Sequence, residues 1–337
     1  MMDLLILKVS NKTKNPINGW INLHKPLGMS SAQAVGKVKW LLKPAKIGHA
    51  GTLDPLASGI LPLALGEATK CVNLLMDAKK IYEFSVTFGE SRATDDAEGE
   101  ITATSDVIPT ISSIQAVLGR FIGEIEQTPP IYSAIKVDGA RSYDLARAGE
   151  AVALKSRKVN IYELELLGIE SAASEAFPPQ GGKALPGAAI GEQGERPVKV
   201  AHFRALVGKG TYIRSLGRDI ALAVGSVAYI SKLHRAAVGP FTQGNAISLD
   251  FLEESVHKAA PAEVMAEAVL PLTAVLDDIP ALGISDEQHH RLRHGQTVML
   301  ADPIPPAAQM ALLNNGQLVA LAECDGRELK TLRILNV

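Results

Sequence analysis

Three stretches of strict alternation constrain this chain more than anything else in it. "KIYEFSVTFG" (residues 80–89) puts Tyr82, Phe84, Val86 and Phe88 on one side of an extended strand and Glu83, Ser85 and Thr87 on the other. That period of two is what a half-buried sheet requires. "KVNIYELELLGIE" (158–170) and "VKVAHFRALVGKGTYIR" (198–214) read as strands as well. Helical spacing occurs too. Ser30 and Ser31 can cap a helix in which Val35, Val38, Leu41 and Leu42 recur, stopped by Pro44, and "SLGRDIALAV" (215–224) reads as a second helix. Strands and helices do not alternate regularly, so the patterns predict an α+β architecture rather than a doubly wound parallel sheet.

Charge is distributed unevenly. Residues 4–53 hold eight lysines and no acid, and Asp54 is the first carboxylate after Asp3. Residues 83–126 carry nine acids against Arg92 and Arg120. The whole chain has a net charge of only -2, so any case for a polyanionic partner rests on this local asymmetry. Lysines 37, 39 and 43 lie off the apolar stripe of the first helix and are left to solvent or to a ligand. Two cysteines, Cys71 and Cys324, form no CxxC pair, which argues against a disulfide framework or thiolate metal site and for a reducing cytoplasm. No stretch approaches the ~18 apolar residues of a membrane span, and neither secretion nor membrane insertion is expected.

Composition breaks the chain into parts. In residues 171–197, fifteen of twenty-seven residues are Ala, Gly or Pro, a composition expected of a flexible insertion joining two strands. After "SVHKAAPAEVMAEAVLP", short runs such as "QTVML", "QLVALAE" and "LRILNV" predict a small β-rich carboxy-terminal domain. The expected boundaries are a leader over 1–17, a main domain over 18–255, a linker over 256–270 and a final domain over 271–337.

Several motifs fail on inspection. "GMSSAQAVGK" lacks the spacing of a phosphate loop, and Val38 stands where Ser or Thr follows the lysine. His289, His290 and His294 have arginine neighbours and no acid or cysteine to complete a metal site. Glycoside hydrolysis ordinarily uses two carboxylates, and the nearest acid after Asp54 is Glu67, so a hydrolase would need its second acid from elsewhere in the fold.

"GHAGTLDPLASGILPLALGEATK" (48–70) closely resembles the signature of the TruB family of tRNA pseudouridine-55 synthases. Five further segments resemble family motifs in order: "GWINLHKPLGMSS", "KIYEFSVTFG", "QTPPIYSAIKVDGARSYDLARAGE", "GKGTYIRSLGRDI" and "ISKLHRAAVGPF". The match spans roughly residues 18–250. It departs at His24, which stands where the family usually has an acid, in "SRATDDAEG", and in the 171–197 insertion. The carboxy-terminal match is weaker. The resemblance implies a mixed, largely antiparallel central sheet with flanking helices, followed by a small PUA-like RNA-binding domain.

The resemblance also implies an activity. The uridine at position 55 in the TΨC loop of tRNA is converted to pseudouridine by breaking its N1–C1′ bond, turning the uracil and rejoining it through C5. Nothing is oxidised or lost, and no cofactor or metal is required. One ionised carboxylate is required, as nucleophile or as base, in a pocket that excludes water. The resemblance makes that carboxylate Asp54 and its partner Arg214, whose guanidinium offsets the desolvation of the acid. If "TYIR" is extended, Tyr212 and Arg214 project to the same side. Tyr82 corresponds to the tyrosine that stacks on the target uracil, and Leu233 to an apolar wall. His49 corresponds to the histidine that enters the loop when the base flips out. The lysines of residues 25–46 would meet phosphates, with support of the active site as the other reading of Lys25. The expected partner is the T-arm of tRNA, with no membrane and no obligate protein partner, and the protein is expected to be a monomer. A non-catalytic tRNA-binding protein on the same scaffold is the second reading.

Overall fold

The computed structural model describes residues 14–133, 135–137, 139–148, 154–171, 196–258, 267–277 and 279–337. Residues 1–13 of the expected leader, 172–195 of the expected insertion and 259–266 of the expected linker lie outside the described residues.

Ten strands make the central sheet: β1 (Gly19–Lys25), β2 (Ile47–His49), β3 (Ala57–Leu65), β4 (Lys80–Phe88), β5 (Gly123–Gln127), β6 (Arg157–Ser171), β7 (Val198–Val207), β8 (Ala228–Val238), β9 (Phe241–Thr242) and β10 (Ile247–Ser248). Their order is β10-β1-β3-β8-β4-β7-β6-β5, with β9 beside β8 and β2 beside β3. Only β1 with β10 and β3 with β8 run parallel, so the sheet is mixed and largely antiparallel. The three alternating stretches became β4, β6 and β7, adjacent in the middle of the sheet.

Helices α1 (Ser31–Leu42), α2 (Ile111–Leu118), α3 (Ile213–Ala223) and α4 (Leu249–Lys258) flank it. The start of α1 falls where the serines predict. Ser30 caps it, accepting from the backbone of Gln33, whose side chain accepts in return from the Ser30 backbone. Val38, Leu41 and Leu42 are buried, and Pro44 follows the left-handed Lys43 cap. Lys37, off the apolar stripe and partly exposed, pairs with Glu253 of α4 at 2.7 Å.

The region after β7 differs from its sequence reading. The alternation predicts a strand through Arg214, but β7 ends at Val207 and α3 begins at Ile213. Gly208 and Gly210 interrupt the pattern, Gly210 at φ +80, and Thr211 Oγ1 closes the turn onto the Gly208 carbonyl at 3.1 Å. Buried Gln127 then holds both backbone polar groups of Tyr212, accepting from its N–H at 2.8 Å and donating to its carbonyl at 3.1 Å. Tyr212 is therefore the N-cap and Arg214 a first-turn residue of α3. The two side chains do not share one side of a strand.

The carboxy-terminal unit is β-rich, as predicted. Strands β11 (Ala281–Gly283), β12 (Val298–Met299), β13 (Ala307–Asn314), β14 (Gln317–Cys324) and β15 (Glu328–Ile334) order as β11-β13-β14-β15-β12, with helix α5 (Asp286–Arg293) between β11 and β12. The half-barrel is docked on the central sheet. Trp20, Ile60, Val238 and Phe241 of the large sheet form one buried cluster with Leu272, Val275, Leu318, Leu321 and Leu335. Trp20 and Leu270 exchange backbone hydrogen bonds, and the Lys70 ammonium donates to the Ile334 carbonyl at 2.8 Å. Ile21, Leu23, Phe84, Val86 and Phe88 pack on the other side, with Ala34 and Val38 of α1 and Leu216 and Ile220 of α3.

Candidate active site

Asp54 sits in the loop between β2 and β3, and that loop is fixed on both sides of it. Ser31, at the start of α1, donates to the Leu53 carbonyl at 2.9 Å and accepts from the Leu53 N–H at 2.8 Å. The Gly28 N–H reaches the Pro55 carbonyl at 2.8 Å, and the Ala57 N–H reaches the Asp54 carbonyl at 3.0 Å. The backbone is held while the carboxylate projects.

What it projects toward is Arg214. Nη2 of Arg214 lies 3.0 Å from Asp54 Oδ2, and Nη1 lies 3.4 Å from Asp96 Oδ2. The same nitrogens donate at 2.9 Å to the carbonyls of Thr94 and Tyr132. The side chains are 6% exposed for Arg214, 2% for Asp96 and 39% for Asp54, so one buried guanidinium joins an enclosed acid to an open one. A second acid thus does arrive from elsewhere in the fold. It is occupied behind Arg214, accepting also from the Thr94 hydroxyl and from the Glu98 N–H at 3.1 Å, and does not face the opening as a hydrolase would need. One turn along α3, Arg218 repeats the arrangement with Asp95 at 2.8 Å and the Thr128 carbonyl at 2.9 Å.

Beside this pair the sheet presents one row of side chains. Register aligns Lys25 with Gly59, Gly59 with Arg235 and Arg235 with Tyr82, across β1, β3, β8 and β4. Gly59 has φ +106, and a Cβ there would meet the Arg235 carbonyl oxygen at 2.3 Å, so only glycine lets the two strands approach at this rung. Lys25 is fully buried and donates to the carbonyls of Pro26, at 2.9 Å, and Met29, at 2.5 Å. Burial pushes its ammonium down to about 8, against the pull of nearby Asp54. Of the two readings of Lys25, a side chain with no exposed surface does not fit contact with phosphates and fits support of the active site.

Of the remaining candidates, Leu233 is buried on β8, two residues from Arg235 and on the same face, against Phe84 and Ala57. His49 is the half-buried last residue of β2 rather than a loop residue, and its Nδ1 is buried without a partner. Burial, then Arg235, lowers its pKa and favours the neutral ring. The Tyr212 ring turns toward Arg157 of β6, 4.9 Å from its centroid, and no contact joins it to Asp54. Asp96, Arg235, Ser31 and Gln127 went unpredicted as members of the site. Arg235 had a signal, since a strand period of two from Leu233 places it on the same face. Among the described residues no group of three or more His, Cys, Asp or Glu could hold a metal ion.

A family model described as TruB family pseudouridylate synthase (N terminal domain) matches residues 39–177, and one described as the tRNA pseudouridylate synthase B C-terminal domain matches residues 214–277. The tRNA pseudouridine synthase B of Rhodospirillum rubrum is 46% identical over 95% of this chain and 97% of its own. The chain belongs to the TruB family of pseudouridylate synthases. It is an RNA pseudouridine synthase, an isomerase. Another TruB relative, the tRNA pseudouridine synthase B of Bradyrhizobium diazoefficiens, is 44% identical over 97% of this chain and 88% of its own. Among solved structures, a Cbf5-Nop10-Gar1 complex aligns with TM-score 0.66 and 27% identity, over 95% of this TruB chain and 84% of that one. An H/ACA RNP bound to a substrate RNA containing 2′-deoxyuridine aligns with TM-score 0.67 and 24% identity, over 95% and 85%, and shares the fold.

Proposed function

We propose that the protein acts on tRNA and isomerises the uridine at position 55 of the TΨC loop, by flipping the base and using Asp54 to cleave and re-form the glycosidic bond. The observation that carries this reading is the Asp54–Arg214 pair: an acid open to a ligand, on a fixed loop, held 3.0 Å from a buried guanidinium. Asp54 acts as nucleophile or base toward the nucleotide while N1–C1′ breaks. When C5–C1′ forms, the proton leaving C5 is matched by one gained at N1, so no redox partner is needed. Tyr82 stacks on the turned uracil, Leu233 closes the apolar side, and Lys25 and Arg235 line the wall. His49 fills the vacancy left by the flipped base. Tyr212, facing Arg157, contacts RNA outside the reacting centre. Residues 18–255 form the catalytic domain, and residues 271–337, after a linker over 256–270, add RNA contacts. The enzyme works in the cytoplasm without an obligate protein partner.

The test is pseudouridine formation in unmodified tRNA by the purified protein, with chelator present and no added cofactor. Asp54→Asn removes the charge but keeps the size, and turnover is expected to fall at least about a thousandfold with tRNA affinity retained. An Asp54→Asn variant as active as wild type would overturn the assignment. Tight tRNA binding by wild type with no pseudouridine formed would favour the binding-protein reading.

A further inference from the structure

The two buried arginines of the site are treated differently by the fold. Arg214 has two carboxylates. Arg235, 1% exposed, forms no ion pair among the described residues, and its guanidinium is committed to neutral acceptors. Nε donates to the Ile60 carbonyl at 2.7 Å and Nη2 to the Gly51 carbonyl at 3.0 Å. Nη1 lies 3.5 Å from both the Thr52 carbonyl and the Tyr82 hydroxyl. Burying a cation without a counter-charge is costly, and an apolar side chain filling the same space would avoid that cost. Packing alone therefore does not account for a guanidinium here.

Its acceptors say what it does. Gly51 and Thr52 lie three and two residues before Asp54, Ile60 is on β3, and Tyr82 is on β4. Ser31 holds the same loop at Leu53 from the α1 side, so the segment entering Asp54 is gripped from two directions. The Gly59 rung, where a Cβ on β3 would clash with the Arg235 backbone, brings the fork within reach of all three elements.

We propose that Arg235 is a positioning residue for the isomerisation, whose planar fork locks the loop presenting Asp54 to the strand presenting Tyr82 and so fixes the separation of those side chains across the target nucleotide. This rests on the roles given above to Asp54 and Tyr82. A displacement of about 1 Å between catalytic groups can slow a reaction about a hundredfold, so a small loss of register at this junction reaches the chemistry. Lysine would keep the charge, but a single ammonium cannot span acceptors on three elements.

Arg235→Lys and Arg235→Met in the full chain, with Asp54→Asn beside them, test this. Single-turnover pseudouridine formation at saturating enzyme, tRNA affinity by filter binding and melting temperature are measured, the rates at a temperature where each variant is fully folded. For Arg235→Lys the bound-state rate is expected to fall by about thirtyfold to a hundredfold while Kd stays within about threefold. Arg235→Met, if it folds, should be slower still. A lower melting temperature with the Arg235→Lys bound-state rate within about twofold of wild type would make Arg235 purely structural and overturn the proposal. Weakened affinity with an unchanged bound-state rate would overturn it too. If Asp54→Asn is inactive and Arg235→Lys is normal, only the positioning role fails. If Asp54→Asn is fully active, the reading beneath it fails and takes the proposal with it.

Discussion

On the face of the central sheet turned toward α1 and α3, Lys25 and Arg235 are buried as cations beside Asp54 and Arg214; on the opposite face, two half-buried histidines are kept toward the neutral form. There His24 and His234 lie 5.7 Å apart, centroid to centroid, and Ser58 bonds His234 Nδ1 at 2.9 Å. Burial, then His24, holds His234 down to about 4, and burial lowers His24 as well. One strand serves both environments, because the alternation of β8 sends Leu233 and Arg235 one way and His234 the other. Buried charge is sustained where a carboxylate or a set of oriented carbonyls answers it. Where burial and a second ring surround His24 and His234, the neutral form is favoured.

The contrast is tested most severely by Arg214→Ala. It strips the partner from Asp54 and Asp96 together, and removing one side of a buried pair typically costs about 3 to 5 kcal/mol. Turnover should fall at least about a thousandfold, read by single-turnover conversion, with destabilisation read by urea unfolding. An active, stable Arg214→Ala would show that the site face needs no such compensation.

A truncation near residue 270 probes the opposite face, because it uncovers Trp20, Val238 and Phe241. Melting temperature should drop by about 5 °C or more and tRNA affinity by about tenfold, with the bound-state rate within about threefold of wild type. A collapse of that rate would mean that the two faces are not independent and that the half-barrel supports the chemistry.

The smallest effect is in pH. A histidine whose folded pKa is depressed stabilises the fold fully above its unfolded value of 6.5, and that contribution is lost as pH falls from there toward about 4. Between pH 7 and pH 5 the urea midpoint of wild type should therefore fall by a few tenths of a molar more than that of His234→Gln. Equal losses would show that the surroundings of His234 do not disfavour the charged ring.

Much of this was legible in sequence. Period two gave β4, β6 and much of β7, a serine pair followed by helical spacing gave the existence and the start of α1, and the motif around Asp54 pointed to the acid that lies against Arg214. The failures are local and have causes. Strand periodicity ran past Gly208 and Gly210 because alternation counts side chains and not backbone conformation, so Tyr212 and Arg214 were expected on a strand that had already ended. Lys25 was left between a phosphate contact and support of the active site because a lysine's burial depends on what packs over it.

Sequence by itself determined which residues would line faces, where helices could start and which acid stood alone, since periodicity, caps and charge spacing are properties of short segments. Only the tertiary structure decided that Asp96 stands behind Arg214, that Arg235 has no counter-ion among the described residues, and that Lys25, Gly59, Arg235 and Tyr82 share one rung. Those residues are brought together by the register of four strands that are not all consecutive in the chain. Register is a cooperative outcome of the whole sheet, and no single stretch of sequence carries it.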